Sequence, residues 1–178
     1  QSLKTDVGPV IDQAALEGLQ AHQKYLDKIG ECLYQMPLNN HCNDGTFFAP
    51  ALYEIKSLGD LKGEVFGPIV HLIRYGSKGI DQVISDINAT QFGLTFGIHS
   101  RIESFVEKVV ANIHVGNVYV NRNMIGAQVG VQPFGGQGLS GTGPKAGGPN
   151  YLPRLCHEKT ITINTVAVGG NVTLMSKS

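Results

Sequence analysis

Two amphipathic helical patterns, each followed by a strand-like run, occupy residues 80–121 and restrict the fold more than any other feature of the chain. Ile80, Val83, Ile84 and Ile87 fall at i, i+3, i+4 and i+7, the spacing of one helical face. Residues 92–100 then read as a strand. Ile102, Phe105, Val106, Val109, Val110 and Ile113 form a second, wider apolar stripe, and residues 114–121 are again strand-like. Strands that alternate with single helices are joined by crossovers, and a crossover returns the chain parallel to itself. The predicted class is therefore α/β, a parallel-type sheet with crossover helices.

The flanking segments extend this scheme. Residues 12–30 predict a helix, with Leu16, Leu19, Leu26 and Ile29 on one face, Asp12 as cap and Gly30 as terminator. Residues 31–36, 47–55 and 69–75 predict strands, the first two separated by the turn-rich PLNNHCNDG. Residues 159–168 alternate polar and apolar side chains and predict a half-buried strand suited to pairing with another sheet or chain.

Composition narrows the function classes. Fourteen basic and fourteen acidic side chains cancel, so no basic stripe recommends nucleic acid. The apolar runs are short and interrupted, the N-terminus has no signal-peptide pattern, and the expected compartment is cytoplasmic. Cys32, Cys42 and Cys156 are an odd number without CxxC spacing, which argues for reduced thiols rather than disulfides. The adjacent pairs His41-Cys42 and Cys156-His157 do not make a metal site, because sequence neighbours rarely point at one ion.

Two segments suggest chemistry. Residues 126–148 contain nine glycines among 23 residues, together with Val129, Val131, Phe134 and Leu139. That composition suits an ordered loop rather than a linker, and Phe134 is the aromatic it would present to a small molecule. Its formal GxGxxG, residues 136–141, follows Pro-Phe-Gly and runs into Gly-Thr-Gly-Pro, which cannot open a helix as a dinucleotide fingerprint requires. The second segment is Gly63-Glu64-Val65-Phe66-Gly67-Pro68. A carboxylate at Glu64 can accept two hydrogen bonds from a diol such as a ribose, and Phe66 offers a flat apolar face. Taken alone, an exposed glutamate at a strand start is the commoner explanation.

The order of these parts is informative. Glu-x-Phe-Gly-Pro, two α/β units, an Asn-rich strand end and Pro-Phe-Gly-Gly-x-x-x-Ser-Gly resembles the C-terminal part of the aldehyde dehydrogenase superfamily, from about Asp6 to Asn171. The stretches GVQPFGGQGLSGTGPKAGGPNYLPRL and TINTVAVGGN are most similar to L-glutamate γ-semialdehyde (Δ1-pyrroline-5-carboxylate) dehydrogenases, and more narrowly to the dehydrogenase portion of the bifunctional proline utilization A family. Gly138 stands where many aldehyde dehydrogenases place a lysine, in keeping with that branch.

The resemblance implies NAD as cofactor, with Glu64 on the nicotinamide ribose hydroxyls, Phe66 near that ribose and Leu94 beside the nicotinamide. It implies that backbone N–H groups of Gly126 and Ala127 anchor the α-carboxylate of L-glutamate γ-semialdehyde, and that Phe134 walls its aliphatic part. It also implies homo-oligomerisation through residues 159–168, so that residues 1–150 form part of a catalytic domain and residues 151–178 an oligomerisation strand and tail. A bifunctional parent would carry FAD in a separate proline dehydrogenase domain and associate peripherally with membrane; no metal and no nucleic-acid contact is implied for this segment. In the family the nucleophilic cysteine, the general-base glutamate and the dinucleotide fold precede this region. None of the three cysteines has the nucleophile's context, so no residue here is assigned a catalytic role. The chain is expected to be a piece of a longer dehydrogenase, inactive alone. A non-catalytic assembly module and a dehydrogenase for a different aldehyde are the alternatives.

Overall fold

The computed structural model describes residues 5–77 and 79–164. The fold is α/β and consists of two helix-on-sheet units. Helix α1 (Gln13–Ile29) begins where the Asp12 carboxylate accepts from the Ala15 N–H, and it ends as the Gly30 N–H reaches the Leu26 carbonyl. It lies on a three-stranded sheet of β1 (Glu31–Gln35), β2 (Ala51–Glu54) and β3 (Ile69–Leu72). Strands β2 and β3 are parallel although no α-helix lies between them, whereas β1 pairs antiparallel with β2 and carries an irregularity between Cys32 and Tyr34.

Leu26 packs with Ala51, Tyr53 and Ile55, and Leu16 and Leu19 pack with Phe48. Ile69 touches both groups, so one side of α1 and one face of the sheet share a continuous core. Truncating a fully buried leucine such as Leu26 costs about 2–5 kcal/mol in cores of this kind. Tyr53, only 1% exposed, donates its phenolic O–H to Asp27 (2.6 Å) and accepts from Gln23 (3.3 Å). Burial, with the Asp27 hydrogen bond second, pushes its pKa up to about 12. The predicted strand over residues 47–55 shortens to β2 because Pro50 lacks an N–H and Phe48 turns into the core instead.

The second unit places α2 (Ile80–Ala89) and α3 (Glu103–Asn112) against the parallel pair β5 (Thr95–Ile98) and β6 (Asn117–Val120). Ile84, Ile98, Val109 and Ile113 form its buried centre. The single strand expected over residues 92–100 is two strands. β4 (Phe92–Gly93) pairs antiparallel with β7 (Gln137–Gly138), and pairing passes to β6 after Leu94. The GxGxxG stretch therefore joins a sheet edge and opens no helix. Gly138 sits at φ +60°, and a Cβ there would strike the Gln91 carbonyl.

Beyond the loop, Tyr151–Arg154 forms a short helical turn, α4. Of the strand expected over residues 159–168, residues 159–164 are exposed and have no regular strand structure, and residues 165–168 lie outside the described residues.

Candidate functional site

A cavity of about 920 Å³ opens between the two units. Its walls come from the segment running from Ser57 to Glu64, from the C-terminal end of α2, from β4 through Phe96, and from Ser140 of the glycine-rich loop. The segment enters through a short 3-10 turn (Leu58–Asp60) in which Ser57 and Asp60 cap each other. Beyond Glu64 it is fixed by Gly67–Pro68. The Gly67 backbone presses on the Leu19 side chain so closely that a Cβ would collide, and the Pro68 carbonyl accepts from the Ala51 N–H at 2.9 Å. The Glu64 loop is thus tied to α1 on one side and to β2 on the other.

The sequence-predicted cofactor residues separate here. Glu64 and Leu94 line the same cavity, Leu94 at the point where the chain changes pairing partner. Phe66, 81% exposed, does not line it. The remaining lining is chiefly apolar, with Leu58, Leu61, Phe92 and Phe96, and the carboxylate of Glu64 is exposed. An apolar wall with a carboxylate at its rim suits a flat heteroaromatic ring carried on a diol-bearing sugar. The residues present therefore fit a nicotinamide riboside moiety.

The predicted substrate residues lie apart from this cavity. Phe134 is half-buried and bridges to Ala146 in both directions, its N–H donating to the Ala146 carbonyl (3.1 Å) and its carbonyl accepting from the Ala146 N–H (2.8 Å). Gly126 is exposed with nothing within 4 Å of a notional Cβ, and Ala127 is half-buried. Just after them, residues 128–132 close a small turn in which the Val131 and Gln132 N–H groups donate to the Gln128 carbonyl and Gln132 Oε1 accepts from the Gln128 N–H. Among the described residues, no hydrogen bond engages the N–H of Gly126 or of Ala127. Two adjacent backbone donors on an exposed loop can receive a carboxylate.

Ser140 is a cavity residue to which the sequence reading gave no role. Its hydroxyl accepts from the Gly93 N–H at 3.0 Å and so holds the loop to β4. Its place in Pro-Phe-Gly-Gly-x-x-x-Ser-Gly was the available signal. The cysteines stay outside the site. All three are free thiols, Cys42 directed at Asn39 Oδ1 and Cys156 at the Leu152 carbonyl. Among the described residues there is no group of three or more His, Cys, Asp or Glu side chains that could hold a metal. None of the helices formed by those residues is long and apolar enough to cross a membrane.

His22 on α1 and His71 on β3 meet away from the cavity, with Nε2 atoms 2.9 Å apart. Burial lowers the pKa of both below the usual histidine value, and at His71 the neighbouring His22 adds to the effect. At least one ring must be neutral for this contact to exist.

Comparison with known proteins assigns the class to which these features belong. The aldehyde dehydrogenase family matches residues 1–161. The bifunctional protein PutA of Rhizobium meliloti is 50% identical over 150 residues, an alignment covering 84% of this chain and 12% of that protein. Among solved structures, a variant of proline utilization A (PutA) from Bradyrhizobium japonicum superposes with a TM-score of 0.84 at 50% identity, covering 92% of this chain and 16% of that one. A 1-pyrroline-5-carboxylate dehydrogenase from Thermus with bound NAD superposes with a TM-score of 0.74 at 33% identity, covering 83% and 28%. The chain belongs to the aldehyde dehydrogenase family. It spans about one-eighth of the length of the PutA relatives it matches.

Proposed function

We propose that this chain is part of a longer NAD-dependent dehydrogenase that oxidises L-glutamate γ-semialdehyde to L-glutamate, the second step of proline catabolism. The observation that carries the reading is the 50% identity to PutA over 84% of the chain. The similarity to a 1-pyrroline-5-carboxylate dehydrogenase described with bound NAD supports it. The cavity with Glu64 at its rim and Leu94 in its wall supports the cofactor part of the proposal.

In this reading Glu64 accepts hydrogen bonds from the nicotinamide ribose hydroxyls, and Leu94 with its apolar neighbours excludes water from one side of the ring. NAD+, when bound, supplies the acceptor for the aldehyde hydride. Phe66, exposed here, would meet the ribose only from outside the cavity wall. The free N–H groups of Gly126 and Ala127 hold the α-carboxylate of the semialdehyde, and Phe134 packs along its methylene chain. Backbone donors suit this role, because they need no mobile side chain and let the anion approach closely. The nucleophilic thiol and the general base belong to other parts of the polypeptide. A homo-oligomer, a cytoplasmic location, peripheral membrane association and a separate FAD-dependent proline dehydrogenase domain complete the proposal for the longer protein.

Steady-state kinetics on the full-length enzyme test the assignment. Glu64→Gln is expected to raise the KM for NAD+ about tenfold, the equivalent of one charge-assisted hydrogen bond of about 1.4 kcal/mol, without raising the KM for the aldehyde. The 178-residue chain assayed by itself is expected to show no turnover. Turnover that thiol alkylation abolishes would place the nucleophile among Cys32, Cys42 and Cys156 and overturn the proposal.

A further inference from the structure

Asn117 opens strand β6 and is buried, an unusual position for an amide side chain. Its Nδ2 donates to the Pro133 carbonyl at 3.0 Å, and its Oδ1 accepts from the Gly135 N–H at 3.3 Å. The two partners are the residues on either side of Phe134. Phe134's own N–H and carbonyl are both taken by Ala146. The four polar atoms of the two peptide groups that flank the Phe134 Cα are therefore all paired, two of them by one side chain. Lys145 completes the arrangement, its ammonium donating to the Gly116 carbonyl and to Asn117 Oδ1 while its stem lies along Gly135.

The chemistry selects asparagine. The site asks one short side chain to donate on one side and accept on the other from separate atoms; a hydroxyl does both from one atom, whereas the asparagine amide carries its donor and its acceptor apart. Aspartate keeps the acceptor for Gly135 and Lys145 but turns a second oxygen on the Pro133 carbonyl. Leucine fills the space and leaves a buried donor and acceptor unpaired. The amide orientation is fixed as well, since both donors face Oδ1 and the one carbonyl faces Nδ2.

We infer that Asn117, seconded by Lys145, is a positioning residue for aldehyde recognition, which it controls by holding Phe134 in place. The inference rests on the proposed role of Phe134 as the substrate wall. It differs from a general stabilising role because its effect falls on one substrate: Asn117 touches the loop on either side of Phe134 but does not line the cavity that holds Glu64 and Leu94.

The test uses the full-length enzyme with Asn117→Asp, Lys145→Met, Phe134→Ala and the double variant of Asn117→Asp with Phe134→Ala. Asn117→Asp is expected to raise the KM for the semialdehyde about tenfold while kcat and the KM for NAD+ stay within about twofold. Lys145→Met, a milder change at a half-buried side chain, is expected to raise the same constant about threefold and stands in if Asn117→Asp fails to fold. The double variant is expected to lie within about twofold of Phe134→Ala alone, because residues acting through one contact are not additive. An unchanged semialdehyde KM in Asn117→Asp and Lys145→Met, an equal rise in both substrates' KM values, or additive effects in the double variant overturns the inference alone, provided Phe134→Ala raises the semialdehyde KM. If Phe134→Ala leaves that KM unchanged, the reading of the loop fails and the inference fails with it.

Discussion

Residues 122–131 and 133–148 are neighbours in sequence and both carry glycine, yet the first reaches the sheet only through side chains, Met124 at Gly97 and Arg122 over Tyr119, whereas the second is also tied to it through its backbone. Val129 is 96% exposed and Gly126 faces open space, whereas Gly138 lies against the Gln91 carbonyl at φ +60°. The packed stretch is pinned from several sides: by the Ser140 hydroxyl on Gly93, by the Asn117 amide around Phe134, by the Phe134–Ala146 pair and by β7 on β4. The open stretch has its small turn at residues 128–132 and two N–H groups that no described residue engages. Gly138 in the packed stretch answers to the fold, and Gly126 in the open stretch, with space around it, is the glycine proposed to answer to what approaches from outside. The same residue type should therefore fail in different ways on the two sides of Pro133.

The largest effect is expected at Gly138→Val, which combines positive φ with a collision at Gln91. Loss of about 3 kcal/mol, read as a lower midpoint in denaturant melts, is expected. Unchanged stability there would break the comparison on its packed side. Gly126→Ala is expected to leave stability within about 0.5 kcal/mol, because nothing meets the added Cβ, yet to raise the semialdehyde KM of the full-length enzyme about tenfold. A fall in stability without a change in KM would show that this glycine serves the fold after all. Ser140→Ala removes one partner of the Gly93 N–H and is expected to cost about 1 kcal/mol in the same melts.

A smaller effect lies outside both stretches. The folded pKa values of His22 and His71 lie below the unfolded one, so the unfolded chain binds more protons and stability rises with pH. The contribution is present above about pH 6.5 and is lost as pH falls through the depressed folded values. Melts repeated from neutral pH downward should show a decline that His71→Gln flattens. The smallest effect belongs to Val129→Ser, expected to change neither melting nor kinetics measurably, as for most exposed loop positions.

Much of this was legible in the residues. The three long helices followed from apolar spacing alone, since Leu16, Leu19 and Leu26 in one and Ile84 and Ile87 in another repeat at the helical period and are the side chains that pack. Parallel pairing of β5 with β6 followed from the helix between them, whereas that of β2 with β3 did not, because the segment between those strands carries no helical pattern and forms only the turn Leu58–Asp60. The antiparallel β1 did not, because its residues carry no periodic burial to betray a direction. The change of partner at Leu94 was also hidden. It is imposed by Gln137 and Gly138, more than forty residues downstream, and a two-residue pairing leaves no pattern in sequence. At the site, Glu64 stood out only through the order of motifs that follows it, since an exposed glutamate at a strand start is ordinary by itself. Asn117 did not, since an amide at a strand start looks like a turn residue until its partners on either side of Phe134 are known.

In the proposed reading Gly126 and Ala127 of the open stretch hold the substrate's α-carboxylate, and the packed stretch meets the substrate only through the Phe134 side chain. A crystal structure of the full-length enzyme with L-glutamate bound tests it most directly. The α-carboxylate of glutamate is expected on the N–H groups of Gly126 and Ala127, with the methylene chain along Phe134. An α-carboxylate held by side chains elsewhere, with those two N–H groups still facing solvent, would contradict it.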